Sequence, residues 1–283
     1  MPENIKSKLR LFADDTIAYI ALKPKSNAAV LQNDIDYLGD WEEKWKMEFH
    51  PDKCQMITIT RNKHIVRNKD TLRGHTLETV DQAKYLGVNL SSKLNWNTHI
   101  NNITSKANKS LGFLRRNLKI SSQSIKTQAY FSLVRPLVEY SNTVWDPYTQ
   151  MNINKIEMVQ RRAARYVTNS YNHTASVTDM LQRLCWRSLK DRRVDARLCM
   201  LYKIHHGIVA IPSASYLTPL ARATRHHHEQ AFKIPKSRCD YHKFSFFPRT
   251  IQMWNTLPAA VINSKDIDTF KIRVQSLNYE NIM

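Results

Sequence analysis

Two adjacent aspartates, Asp14 and Asp15, are the residues of this sequence with the clearest potential for chemistry. Apolar and β-branched residues precede and follow them, which predicts a strand, a tight turn at the acids and a second strand. Aspartate is common at turns because its short side chain can bond its own backbone. Two neighbouring carboxylates repel each other unless water or a cation lies between them, and hard cations such as Mg²⁺ prefer oxygen ligands. The pair therefore fits two interpretations, a solvated hairpin turn or part of a metal site.

A single lysine, Lys53, stands at the entrance to the next predicted strand. Pro51 ends the helix that we predict from Ser26 or Asn27, whose apolar face includes Trp45. The segment 56–60 is β-prone and predicts a strand. A charged side chain in this place can act on a bound anion or simply lie along the surface with its head in water.

Positive charge accumulates on the helices that we predict after residue 95. Apolar residues at three- and four-residue steps predict helices over 95–118, 124–134 and 152–167. The cations that we single out on the first and third of these helices are Lys106, Lys109, Arg115, Arg116, Arg161, Arg162 and Arg165. Two interpretations stay open, a surface that grips nucleic-acid backbone and an ordinary solvated face of a helical bundle.

The last part of the chain continues the helical pattern. Ser176 begins a capping box with Asp179 in the place of the usual Glu. A long helix is predicted over 186–206, with apolar residues between basic ones, and Gly207 stands at its predicted end. The basic residues of that helix are Arg187, Lys190, Arg192, Arg193 and Arg197. From this interleaving we predict a helical, basic region that binds RNA or DNA.

A cluster of histidines and one cysteine could bind a metal ion. Its members are His226, His227, His228, Cys239 and His242. Three adjacent histidines cannot all ligate one ion in regular geometry, and the Cys-x₂-His spacing lacks a second half. We therefore favour a basic loop over a zinc site. The aromatic residues of the following segment, 244–257, could stack on bases, but such density more often builds a core.

The overall charge favours a polyanionic partner. The chain has 43 Lys+Arg against 24 Asp+Glu, a formal net charge of +19. Four widely spaced cysteines argue against a disulfide scaffold, and no apolar run is long enough to cross a bilayer. With five glycines and neither a G-x-G-x-x-G string nor a P-loop, a glycine loop that holds phosphates is not expected.

Several strings together resemble one family, the reverse transcriptases of non-LTR retrotransposons. Phe-Ala-Asp-Asp between apolar strands is similar to the catalytic palm turn of reverse transcriptases. His-Pro-Asp-Lys-Cys at 50–54 resembles the segment that follows that turn by one helix, with His50 in the place of the usual Asn. The strings at 134–140, 159–165 and 245–250 look like the carboxyl-terminal part of open reading frame 2 in jockey-type and chicken-repeat-type elements.

The resemblance implies an α+β fold in three parts. Residues 1–92 would be the carboxyl-terminal portion of the palm, an antiparallel sheet with a helix. Residues 93–147 would be a helical, thumb-like region, and 148–283 a basic, mainly helical region. The string 84–88, at the palm-to-thumb junction, resembles the primer grip, so Tyr85, Leu86 and Gly87 would hold the primer end, although by themselves they predict a plain β-hairpin.

The activity implied is RNA-directed DNA polymerisation by two Mg²⁺ ions. Asp14 and Asp15 would be metal ligands, and Lys53 would lie near the incoming triphosphate. The partners implied are an RNA template and a DNA primer, inside the cell in nucleus and cytoplasm, without a membrane or a disulfide-linked partner. In the family a further metal-binding aspartate and the fingers precede this turn by a long stretch, and only thirteen residues precede Asp14 here. We therefore expect a fragment that is inactive alone, or alternatively a non-catalytic RNA- or DNA-binding module or a pseudogene product.

Overall fold

A computed structural model shows that the chain forms two compact units. The units are Met1–His99 and Ile100–Met283. The structure describes residues 5–21, 28–46, 49–60, 62, 69–172, 174–220 and 228–279. Both helices and strands are present, so the expectation of a mixed α and β protein is confirmed. The predicted division into palm, thumb and basic region stays a prediction.

The first unit consists of short strand pairs and one long helix. Within its described residues the strands form four two-stranded sheets, three antiparallel and one parallel, where the sequence led us to expect a single antiparallel sheet. The elements are β1 (Lys8–Phe12), β2 (Asp15–Tyr19), α1 (Ala28–Trp45), β3 (Gln55–Met56), β4 (Thr71–Leu72), β5 (His75–Thr76), β6 (Glu78–Thr79), β7 (Gln82–Tyr85) and β8 (Val88–Ser91). Two of the strand pairs, β3 with β6 and β4 with β5, extend over only two residues on each strand.

Helix α1 is fastened to its neighbours by polar side chains. Gln32 donates to the carbonyl of Thr71 at 2.8 Å and accepts from the amide of Thr71 at 2.7 Å, which joins α1 to β4. Asp34, almost fully buried, accepts from the amides of Lys6 and Ser7 just before β1. Buried polar groups of this kind are stable because each is hydrogen-bonded.

Helix α1 and the strand after it differ from the predictions in two places. The predicted caps of α1, Ser26 and Asn27, lie outside the described residues. Trp45 was expected on the apolar face but is 60% exposed at the last residue of α1, so the expectation for that side chain is wrong. The strand predicted over 56–60 is present only as β3, because its partner β6 pairs with two residues and no more.

The second unit is helical. Its α2 begins in the last residues of the first unit. The helices are α2 (Asn97–Asn117), α3 (Gln123–Leu133), α4 (Arg135–Glu139), α5 (Asn142–Trp145), α6 (Gln150–Thr168), α7 (Val177–Arg183), α8 (Leu189–His205), α9 (Asp240–Lys243), α10 (Phe246–Trp254), α11 (Ala259–Ile262) and α12 (Ile267–Gln275).

The main core of this unit lies where α8, α10 and α12 meet. Leu198, Ile251, Trp254 and Phe270 are fully buried there, and burial of apolar area of this size is the dominant stabilising term. The indole N–H of Trp254 donates to the carbonyl of Gln230 at 2.9 Å. The core interpretation of the carboxyl-terminal aromatics is thus confirmed for Trp254.

Most helix boundaries in this unit agree with the sequence. The Ser176 hydroxyl accepts from the amide of Asp179, and Gly207 follows α8 with a left-handed φ of 67°. The predicted start of the long helix at residue 186 is wrong. Helix α8 begins at Leu189 because Ser188 is its cap, accepting from the amide of Asp191 at 3.0 Å.

The histidine and cysteine cluster is divided among separate contacts. His226 and His227 lie outside the described residues. The His228 ring pairs with the carbonyl of Trp254 at 2.9 Å, and the His242 ring with the Ser237 hydroxyl at 2.8 Å. All four cysteines of the chain carry free thiols. In the parts of the chain that the structure describes, no helix is long and apolar enough to cross a membrane.

Candidate nucleic-acid interface and acidic turn

The acidic pair lies on the hairpin that the sequence predicts. Strands β1 and β2 pair in register from Lys8 with Tyr19 to Phe12 with Asp15, so Ala13 and Asp14 form the turn. Both aspartates are exposed. The backbone before them is strained, because Ala13 adopts a left-handed φ of 51° that residues with a side chain rarely occupy. The hairpin thus places Asp14 in the turn and Asp15 at the start of β2.

The donor set of this turn is too small for a metal centre by itself. A two-metal site needs several oxygen ligands on each ion, and the turn supplies two carboxylates. Across the described ranges no three His, Cys, Asp or Glu side chains come together in a way that could hold an ion. The residues present therefore do not fit the two Mg²⁺ ions that the resemblance implies.

Lys53 lies outside any strand. It ends the short 3-10 turn Pro51–Lys53, and its side chain is exposed. The strand that we expected it to enter begins two residues later, at Gln55. The exposed side chain agrees with the interpretation of Lys53 as a surface lysine. Its role toward a triphosphate stays a prediction.

The residues predicted to grip a primer form a tight hairpin turn between β7 and β8. Leu86 and Gly87 occupy its two central positions with φ values of 45° and 80°. Positive φ at both positions is typical of a type I′ turn and explains the glycine. The amide of Asn89 donates to the ring nitrogen of the buried His99, so the hairpin is attached to the first turn of α2.

The predicted basic helices α2 and α6 lie side by side. Arg162 on α6 donates to the Asn108 side chain on α2 at 3.1 Å, and Lys155 donates to Asn101 at 2.9 Å. Both bonds span 54 residues of sequence, so the partners advance together along the two helices. The two helices are therefore parallel neighbours over at least two turns.

A shallow, open groove of about 600 Å³ follows the exposed side of α2. Its lining contains two cations and no acidic residue, and Arg162 reaches its rim through Asn108. Side chains at three- and four-residue steps form this stripe, so it is one face of the helix. The lining residues are Asn101, Thr104, Ser105, Asn108, Lys109, Gly112 and Arg116.

The structure brings together some of the predicted cations and leaves others apart. Lys109, Arg116 and Arg162 meet at the groove. At the carboxyl-terminal end of α2, Arg115 lies over the ring of Tyr171, while Arg165 donates to the carbonyl of Asn172 at 3.0 Å. The remaining two predicted cations, Lys106 and Arg161, are exposed on the same two helices.

The basic residues of α8 are largely internal, which corrects the sequence interpretation of that helix. Arg193 and Arg197 have side chains 1% and 4% exposed. Arg193 donates to the Asp146 carboxylate at 2.8 Å, and Arg197 forms an ion pair with it at 2.9 Å. Arg249 approaches the same carboxylate at 3.1 Å. Burial lowers the pKa of Arg197 to about 10, against the opposing effect of Asp146. These cations hold the unit together and are not available to a polyanion.

Two further charges near α8 are paired in the same way. Arg192 binds the Glu139 carboxylate through two nitrogens, and this hydrogen bonding raises the pKa of the guanidinium. Arg187 donates to Asp195 at 2.6 Å. Neither these pairs nor the contact of Lys155 with Asn101 is predicted by the sequence. The acids that neutralise α8 stand as far as 53 residues away, where no spacing rule applies.

Comparison with known proteins identifies a set of transposon polymerases. The chain is 27% identical over 221 residues to a probable RNA-directed DNA polymerase from transposon BS of Drosophila melanogaster, covering 74% of this chain and 24% of that protein. It is 26% identical over 236 residues to the RNA-directed DNA polymerase from mobile element jockey of the same species, covering 77% and 25%. A probable polymerase from transposon X-element is 24% identical over 58% of this chain. The chain thus spans about a quarter of the length of the first of these relatives. No family model and no solved structure matches it.

Proposed function

We propose that this chain, which is related to the RNA-directed DNA polymerases of jockey-type non-LTR elements, is part of such a reverse transcriptase. The observation that carries the proposal is the similarity over about three quarters of the chain to the polymerases of two elements, BS and jockey, the latter from two Drosophila species. The proposal includes the predicted right-hand fold, with a partial palm in the first unit and a thumb-like region at α2 and α3. An RNA template and a DNA primer are the partners that we propose for it, inside the cell.

The groove along α2 is the part of this chain to which we assign backbone binding. Lys109 and Arg116 in its lining and Arg162 at its rim offer three cations within one strip, and amides and hydroxyls fill the spaces between them. Lysine and arginine bind phosphates regardless of base sequence, and neutral donors add hydrogen bonds to phosphate oxygens. A template–primer duplex presents such a row of phosphates.

To Asp14 and Asp15 we assign the role of carboxylate donors in the polymerase. Their exposure at a strained turn supports this assignment. Because the turn offers too few oxygens for two ions, we infer that a polypeptide of these 283 residues does not polymerise by itself. Lys53 toward the triphosphate and Tyr85, Leu86 and Gly87 toward the primer end belong to the same proposal.

A second candidate function is binding without catalysis. The groove is complete within the second unit, whereas the described residues assemble no metal centre. An RNA- or DNA-binding module would keep the groove without a metal centre. So would the inactive product of a degenerate copy of the element.

The binding proposal is tested with a labelled RNA–DNA hybrid followed by fluorescence anisotropy over a range of salt. The logarithm of the association constant should fall linearly with the logarithm of the salt concentration, and each phosphate neutralised should contribute about −0.9 to the slope. Replacing Arg161, Arg162 and Arg165 together with Ala should weaken binding and flatten that slope. The matched control replaces Lys233, Lys236 and Arg238 together with Ala, three exposed cations that are not part of the groove lining. Equal affinity of the triple variant and the control would discard the assignment of backbone binding to these three arginines.

Catalysis is tested by primer extension on poly(rA) with Mg²⁺, beside an Asp14→Ala control. We expect no extension from either protein. Extension by the unaltered chain that disappears in Asp14→Ala would overturn the inference of inactivity and would support the assignment of Asp14. Extension that persists in Asp14→Ala would overturn that assignment as well.

A further inference from the structure

An aromatic side chain stands at one end of the groove. Tyr171 follows α6 by three residues, after Asn169 has left the helix with a left-handed φ of 52°. The residue is 49% exposed, and the guanidinium of Arg115 lies 5.4 Å from the centroid of its ring. A tyrosine in a core would bury this ring. Here one part of it contacts a cation and about half of the residue's surface is open.

The position of Tyr171 relative to the groove follows from the contacts of its neighbours. The Tyr166 hydroxyl donates to the carbonyl of Leu114, which brings the last turn of α6 against the last turns of α2. Arg115 contacts the tyrosine, and it follows the groove residue Asn108 by seven residues, so both lie on the same side of α2. The open ring therefore lies where the row of groove cations ends.

This combination is suited to an unpaired base. Aromatic rings stack on bases of any sequence, and an adjacent arginine adds a cation–π contribution and a contact for phosphate. A blunt duplex presents no unpaired base at this position, whereas a duplex with a single-stranded extension does. We propose that Tyr171 is a stacking platform for the first unpaired base beyond a duplex whose backbone lies in the α2 groove. The inference rests on the proposed function of that groove.

The test compares a blunt RNA–DNA hybrid with the same hybrid carrying a short single-stranded extension. The full chain should bind the extended hybrid more tightly, and Tyr171→Leu should lose about 5-fold or more of that advantage while binding the blunt hybrid unchanged. Tyr171→Phe keeps the ring and should keep the advantage. With 2-aminopurine as the first unpaired base, binding should quench its fluorescence in the unaltered chain and in Tyr171→Phe only.

The groove and the platform can fail separately. If Arg116→Ala and Arg162→Ala weaken both hybrids but Tyr171→Leu changes neither affinity nor quenching, the platform is wrong and the groove stands. If the arginine variants leave both hybrids unaffected, the proposed groove function is wrong. Far-ultraviolet circular dichroism verifies that Tyr171→Leu is folded. If it is not folded, loss of quenching in Tyr171→Phe would still contradict the proposal, because that variant retains the ring.

Discussion

Replacing Asp146 with Asn should destabilise the second unit more than any exposed substitution. Its carboxylate receives Arg193, Arg197 and Arg249 at 2.8, 2.9 and 3.1 Å, and its own side chain is 6% exposed. Asparagine has nearly the same volume, so the change removes charge with little change in packing. Glu157, 3.9 Å from Arg193, is the acid that would remain nearby.

The expected cost follows from the burial of the partners. Arg193 and Arg197 are nearly without solvent, so water cannot replace the lost carboxylate. Breaking a buried ion pair from one side typically costs about 3–5 kcal/mol, since a charge is left uncompensated. Native domains are stable by about 5–15 kcal/mol, so the loss is a large fraction of the total. With a urea m-value of about 2 kcal/mol/M, the midpoint should fall by about 1.5–2.5 M.

Urea unfolding followed by circular dichroism and tryptophan fluorescence measures this shift. The buried Trp145 and Trp254 report on this unit. Asp240→Asn is the matched control, the same chemical change at an exposed position in the first turn of α9, and should stay within about 0.5 kcal/mol.

A second variant separates charge from hydrogen bonding. Adding Arg197→Met to Asp146→Asn removes one of the uncompensated cations and should restore part of the lost stability. A loss below about 1 kcal/mol for Asp146→Asn would refute the reasoning, because buried charges without a carboxylate cost more than that. No recovery in the double variant would mean that lost hydrogen bonds, rather than charge, account for the effect.

Two further predictions concern backbone strain and acid sensitivity. Ala13→Gly should stabilise the β1–β2 hairpin by up to about 1 kcal/mol, because glycine accepts the left-handed φ without a side-chain clash. Slower amide exchange in both strands would reveal this stabilisation, and faster exchange would contradict it. Asp266 caps α12, and a hydrogen bond from the Thr269 amide lowers its pKa below the ordinary 3.8. The resulting stabilisation is present above pH 3.8 and is lost as the pH falls through the lower folded pKa. Asp266→Asn keeps the cap but does not titrate, so its deficit in urea stability relative to the unaltered chain should shrink in acid, and a constant deficit would refute the assignment.

Local signals in the sequence predicted much of the fold. The pattern of apolar residues located α6, whose Ile156, Val159 and Ala163 are fully buried. Turn chemistry located the hairpin at Asp14 and the stop at Gly207. These features depend on residues a few positions apart, so a linear pattern contains them.

Features that depend on distant partners could not be predicted. Arg193 and Arg197 look like solvated cations until Asp146, 47 residues from Arg193, is placed beside them. Trp45 fits an apolar stripe, yet the structure leaves it exposed. For the candidate site, the sequence supplied the cations, while Lys155, the amides of the groove and Tyr171 became visible only when α2 and α6 were brought together.

The parallel pairing of α2 with α6 has a consequence for how the groove forms during folding. The lining lies on α2 and the rim cation Arg162 lies on α6, 54 residues after Asn108, so the two meet only after the intervening helices have reversed the chain and returned it. Contacts of such high sequence separation are costly in loop-closure entropy and tend to form late. A synthetic peptide of α2 would carry Lys109 and Arg116 but would lack Arg162. Binding studies on such a peptide would therefore measure charge attraction alone. Binding of a nucleic acid in the groove would require the complete fold of the second unit.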